Sequence, residues 1–393
     1  MGRMLLPALA LLLAPQTPPI LELEALDGTL RRLPLAELPL ADPRTQAAWV
    51  VRPLGFAELR GTRGEARVAF ANGDELVGRV QGGEGESFRL ELCEGVLVPC
   101  PLEAVRSLVF AARVPSGELA SLAPAPEGDR LYRRGASLDV LDGTIEAFSA
   151  EGIRFNGVLG KSTVAWADVA ALFVAALEDA APVRSARGVP ITLDLVGEGG
   201  GRARASLLAL EREGARVVLG QGSELLLPYA AMAELTVADG KLTYLSELTP
   251  SAESGRGSPF DDDLGMQWPH RMDESVTGGE LRRAGVPVRR GIGMHAPSRL
   301  TFALDQGYAA LRGEVAIDAS TRLFAEHARG SVVFRVFADG ALLWESPLVR
   351  GGDAPVTLGT LALAGKRELV LELDPAGDFA GDRGNWLGLA LVR

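Results

Sequence analysis

"GSVVFRVFADGALLWESP", residues 330–347, decides the fold class of this chain. Apolar and polar residues alternate up to Ala338, Asp339-Gly340 interrupts them, and the alternation resumes. Period-two alternation makes a half-buried strand, and Asp-Gly between two such runs is the signal of a two-residue type I′ turn, whose central residues both need positive φ. Closed at Asp339-Gly340, a regular hairpin opposes Ala338 to Ala341, Val336 to Leu343, Arg335 to Trp344 and Phe334 to Glu345. One face then carries Val332, Phe334, Val336, Ala338, Ala341 and Leu343, a core stripe; the other carries Arg335, Phe337, Leu342 and Trp344. Two readings of that second face are open. Trp344 beside Arg335 offers a sugar ring an aromatic plane and a hydrogen-bond donor; equally, both side chains can pack under a loop of a sandwich.

Working outward, "RELVLELDPAGDFAGDRGNWLGLALV" (367–392) places Leu369, Leu371 and Leu373 on alternate positions, another strand. The glycine-rich loop after it holds Asp374, Asp378 and Asp382, with Asn385 beyond. Hard oxygen donors in a flexible loop suit Ca²⁺, although the twelve-residue EF-hand pattern is missing; a solvated acidic loop is the alternative. Upstream, "GIGMHAPSRL" (291–300) holds His295, one of three histidines. Alternation sets His295 opposite Ile292 and Met294, and Pro297 closes the strand. Without a neighbouring carboxylate, nucleophile or second ligand in the sequence pattern, this imidazole reads as a hydrogen-bonded structural group or a sugar contact, rather than a catalytic base or metal ligand.

The rest of the 393 residues agrees with an all-β protein. The 47 glycines and 24 prolines punctuate short apolar runs, and no stretch holds helical periodicity. A net charge of -11 repels polyanions and argues against a nucleic-acid partner. Residues 1–20, "MGRMLLPALALLLAPQTPPI", read as a signal peptide: Arg3 precedes an apolar run too short to span a bilayer. The two cysteines, Cys93 and Cys100, form no zinc signature, and free thiols are favoured over a strained bridge. If Glu94-Gly95 turns the chain, Cys93 opposes Val96.

Residues 21–110 and 135–240 look internally repetitive. "LEALDGTL" (23–30) returns as "LDVLDGTI" (138–145) and more loosely as "FANGDELV" (70–77), each read as a turn between strands. "LEAVRSLVF" (102–110), "WADVAALFV" (166–174) and "YAAMAELTV" (229–237) recur at intervals of 64 and 63 residues. Several small β-barrel-like or meander units are expected, with residues 111–134 as a linker between them. A second loop-rich stretch, 249–263, lies near the start of the C-terminal region.

From residue 241 onward the motifs become specific. "YLSELTP", "WPHRMDESVTGGELRRAGVPVRRGIGMHAPSRLTFAL", "GEVAID", "GSVVFRVFADG" and "GDFAGDRGNW" occur in the same order as in the NPCBM/NEW2 domain, the carbohydrate-binding module of glycosyl hydrolase family 98, which residues 241–393 resemble. The resemblance implies a jelly-roll β-sandwich that binds sugars without cleaving them, often with a structural calcium. Ala319 follows Asp318 where the family carries a second acid, and Asn385-Trp386-Leu387-Gly388-Leu389 lacks the family's later carboxylate. The expectation is a secreted, non-catalytic carbohydrate-binding protein, periplasmic or at the cell surface. Trp344, Arg335, His295 and Trp268 are its candidate sugar contacts, and Asp374, Asp378 and Asp382 its candidate Ca²⁺ ligands. An envelope assembly protein using its β units for protein contacts, or a glycosidase with an unrecognised carboxylate pair, are the alternatives.

Overall fold

A computed structural model describes residues 19–56, 66–93, 95–135, 137–158, 160–175, 187–196, 200–255, 267–305, 307–323, 329–377 and 381–393. The apolar run of the expected signal peptide lies outside them. Among the described residues there are strands and short 3-10 turns but no α-helix, and no sheet closes into a barrel.

The N-terminal half is built of meanders. From Ala66 to Val109, from Asp129 to Phe173 and from Val189 to Val237 the chain runs through one order of elements. Four antiparallel strands are followed by a one-turn 3-10 helix (Leu102–Ala104, Trp166–Asp168, Tyr229–Ala231), and a fifth strand returns to pair with the first. A shorter set, Ile20–Glu24, Leu30–Pro34 and Val50–Leu54, precedes them. Final strands join the sets in pairs: Leu172 opposes Leu108, and Leu235 opposes Val51. Asp27-Gly28 turns the first hairpin, with Gly28 at φ 88°. Asp142-Gly143 does not. Both lie inside the strand Asp139–Phe148, where a Cβ on Gly143 would meet the Asn156 carbonyl oxygen at 2.2 Å, so this glycine permits close strand approach rather than a turn. Within the stretch read as linker, Asp129–Arg133 is a strand. Cys93 opposes Val96, and both thiols are free.

The C-terminal part is a sandwich of two antiparallel six-stranded sheets. One orders Arg271–Met272, Gly291–His295, Arg383–Val392, Ala310–Ile317 and Val356–Ala362, with Leu242–Tyr244 also on Arg383–Val392. The other orders Ala252–Ser254, Ser298–Ala303, Glu368–Pro375, Ser331–Ala338 and Ala341–Glu345, with Val349–Arg350 on Ser331–Ala338. Ile292, Met294 and Trp386 from the first sheet meet Leu300, Phe334, Val336 and Leu371 from the second in one core. Trp386 is fully buried, edge-on to Phe334 at 5.0 Å.

The Asp339-Gly340 turn forms as read, with φ 48° and 78°. The hairpin's register does not. A bulge leaves Leu343 unpaired, so Val336 opposes Trp344 and Arg335 opposes Glu345. A one-residue slip exchanges faces. Trp344 therefore turns inward and packs, half buried, against the sandwich core. The expected pairing of Arg335 with Trp344 is corrected: Arg335 instead donates to Glu345 at 2.5 Å, Glu372 at 3.0 Å and Asp374 at 2.7 Å.

Candidate functional site

His295 ends a strand whose five residues are all buried. Its core-side neighbours Ile292 and Met294 are fully covered, and His295 points to the other face, as alternation requires. Its Nδ1 lies 2.8 Å from the Ala296 carbonyl oxygen. A carbonyl only accepts, so Nδ1 carries the proton and the neutral ring offers Nε2 as an acceptor. Burial, and less strongly the Arg383 charge, hold this imidazole below its ordinary pKa. Because Nδ1 is spent on a carbonyl rather than a carboxylate, the ring is not wired as the base of a triad.

Strand pairing brings two partners to it. Arg271 opposes Gly293 antiparallel, so residues before Arg271 run back toward residues after Gly293. Trp268 accordingly stacks on His295, with centroids 5.5 Å apart and planes 18° from parallel. On the other side Arg383 is the cross-strand neighbour of His295. Its guanidinium lies 5.3 Å from the Trp268 ring centroid and donates to Ser320 Oγ at 3.2 Å. Beneath, buried Asn385 donates from Nδ2 to Asp318 Oδ2 at 2.9 Å, while its own Oδ1 has no donor among the described residues. An aromatic plane, a cation with several N–H groups and a neutral acceptor thus converge at one half-buried edge of the sandwich, chemistry suited to ring CH groups and hydroxyls.

Of the four candidate sugar contacts, Trp268 and His295 come together, while Trp344 and Arg335 lie elsewhere on the second sheet. Sequence reasoning missed Arg383. Its only signal was its place in "GDRGNW", and nothing there told that it would lie opposite His295. The calcium candidates divide too. Asp374 is ion-paired to Arg335. Asp382 is fully buried, and its Oδ1 accepts from Ser331 N at 2.7 Å. Asp378 lies outside the described residues. Among those described, no group of three or more His, Cys, Asp or Glu side chains is gathered for a metal.

The order of motifs, the two-sheet sandwich and the Trp268–His295–Arg383 edge all fall within one stretch of chain. Residues 241–392 match the family model of the NPCBM/NEW2 domain. Two curated proteins are similar to part of this chain. One of Renibacterium salmoninarum, named as an endo-alpha-N-acetylgalactosaminidase, is 31% identical over 105 residues, 27% of this chain. The alpha-1,3-galactosidase B of Akkermansia muciniphila is 31% identical over 121 residues, 30% of this chain. The chain spans only 7% and 15% of these relatives' own lengths. The structure of CBM51 from Clostridium perfringens GH95 in complex with methyl-galactose is similar at 25% identity and a TM-score of 0.32, covering 38% of this chain and 99% of that one.

Proposed function

We propose that the NPCBM/NEW2 domain binds a glycan at the Trp268–His295–Arg383 edge, and that the chain is an exported, non-catalytic binding protein. The observation that carries this is Trp268 laid over the cross-strand pair His295 and Arg383. The curated relatives are named as an endo-alpha-N-acetylgalactosaminidase and an alpha-1,3-galactosidase, so galactose and N-acetylgalactosamine are the first probes. A single site built on one aromatic plane and a few polar groups gives modest monovalent affinity, with stacking dominant. A Ca²⁺ ion in the acidic loop that holds Asp374, Asp378 and Asp382 belongs to the same proposal. The common order of elements supports reading 66–109, 129–173 and 189–237 as copies of one β unit.

The test is a glycan-array screen of the full chain, followed by calorimetric titration with methyl-galactose and N-acetylgalactosamine, with calcium and with a chelator. Saturable binding that falls about tenfold or more in Trp268→Ala supports the site. Binding that survives this change moves the site elsewhere, and chelator-insensitive binding removes calcium. Silence from the folded wild type sinks the glycan reading and favours a structural role.

A further inference from the structure

Two segments carry the site: one leads from Trp268 to Asp273, the other from Arg290 to His295. Both are tied to a single point outside the NPCBM/NEW2 domain. Asp194, in the N-terminal strand Val189–Leu195, accepts from Arg290 Nε at 3.0 Å and from Arg202 Nε at 2.7 Å. Arg202 Nη1 donates to Asp273 Oδ2 at 2.7 Å. Asp273 Oδ1 accepts from Gly291 N at 3.0 Å, while Asp273 N donates to Gly291 O at 2.7 Å. Since Arg290 is joined covalently to Gly291, these contacts close a ring: Asp194, Arg290, Gly291, Asp273, Arg202.

The ring has the character of a fixed clamp rather than a surface ion pair. Asp194 and Arg290 are only 3% and 2% exposed, so solvent and salt screen them little. Arg290 Nη1 also reaches Glu247 at 2.8 Å, and its guanidinium lies 5.1 Å from the Tyr244 ring centroid. Asp273 sits at φ 58°, in the left-handed region that Asp tolerates. Five residues upstream of Asp273 is Trp268, and four downstream of Gly291 is His295. A shift at the clamp therefore moves the two stacked rings relative to each other.

We propose that Asp194 and Arg202 are positioning residues: through this ring the N-terminal β region sets the spacing of Trp268 and His295. Only the affinity readout rests on the glycan reading above; the geometry does not. In the full chain, Asp194→Ala and the milder Arg202→Lys are compared with Arg312→Leu. Arg312 bridges the same two parts of the chain by donating to Leu26 O and Glu24, away from the ring. The readouts are the His295 imidazole resonance, assigned by substitution, the Trp268 emission taken as a difference from Trp268→Phe, and the affinity in the sugar titration. Both ring variants are expected to shift the resonance and the emission and to weaken the sugar about tenfold, with Arg312→Leu within about twofold of wild type on all three.

If folded Asp194→Ala keeps the wild-type resonance and emission, or Arg312→Leu matches it, the positioning role is overturned. Should Asp194→Ala fail to fold, Arg202→Lys decides alone, because it keeps the Asp194–Arg290 pair and alters only the contacts of Arg202 itself, to Asp194, Asp273 and the Arg289 carbonyl. Should the wild type bind no glycan, the proposed function falls and the clamp is judged on resonance and emission.

Discussion

His295 couples the site to pH through its own burial. In the folded chain its pKa lies below the ordinary 6.5, chiefly because the charged ring would lose water, and further because Arg383 stands across from it. Unfolding releases the ring to its ordinary value, so between the two pKa values the unfolded chain binds the extra proton. Stability from this group is complete above pH 6.5 and is lost as pH falls toward the folded value. Urea unfolding at pH 7.5 and 5.5 should show a decline that His295→Gln flattens; equal slopes would mean the ring is solvated in the native state. The cysteines give a second residue-level prediction. Burial pushes the Cys100 thiol up to about 12, and Cys93 is raised by its half-burial and then by the nearby Glu91. Reactivity follows thiolate fraction and access. Native protein should therefore react slowly with a disulfide reagent, Cys93 ahead of Cys100, with both thiols titrating rapidly in denaturant. A prompt equal reaction at both would contradict the burial.

Among the elements, the bulge at Leu343 has the largest consequence. It turns Trp344 from a surface platform into a packed residue, and Trp344→Ala should cost about 2 kcal/mol, below the roughly 3–5 of a fully buried aromatic. The denaturation midpoint should fall while sugar affinity in the folded state stays unchanged; lost affinity with an unchanged midpoint would restore Trp344 to the site. This element also marks what was legible in sequence. Alternation and Asp339-Gly340 revealed the hairpin and its turn, because strand period and positive φ are local properties. The register was not legible, because one unpaired residue is decided by packing of the whole sheet. Gly143 is a second instance: Asp-Gly also occurs where a neighbouring strand presses close, and only the partner backbone distinguishes the two. The site divides similarly. His295 and Trp268 stood out as a histidine in an apolar strand and an aromatic in an ordered motif, whereas Arg383 becomes visible only when its strand is laid against Gly291–His295.

At the scale of the molecule, the N-terminal meanders and the sandwich share a core. Val50, Leu242, Tyr244 and Ala390 bury one another, with Leu26 and Trp49 at the margin. This covers the outward Ala390 face of the first sheet, the sheet that also carries the Trp268–His295 edge. Beside the apolar contact, Tyr244 Oη donates to Glu234 Oε1 at 2.7 Å, Arg52 donates to Glu234 at 2.7 Å, and Arg52 also pairs with Glu24. Burial pushes the Glu234 carboxyl up, but Arg52 and the Tyr244 hydroxyl outweigh it and hold the group below 4.5. The contact is thus strongest where Glu234 is ionised, at neutral pH, and is lost as pH falls through the depressed folded value. Tyr244→Phe removes one donor from a buried charged acceptor while keeping the ring's packing, and should cost about 1–3 kcal/mol. Because Tyr244 lies in the strand Leu242–Tyr244 of the sandwich and Glu234 in Met232–Val237 of the meanders, that loss belongs to both parts together. Urea unfolding of the full variant, followed by tryptophan emission and far-ultraviolet circular dichroism, should give a lowered midpoint with the two probes still coincident. An unchanged midpoint would mean that water already satisfies Glu234, and separated probe transitions would mean that the two parts unfold independently.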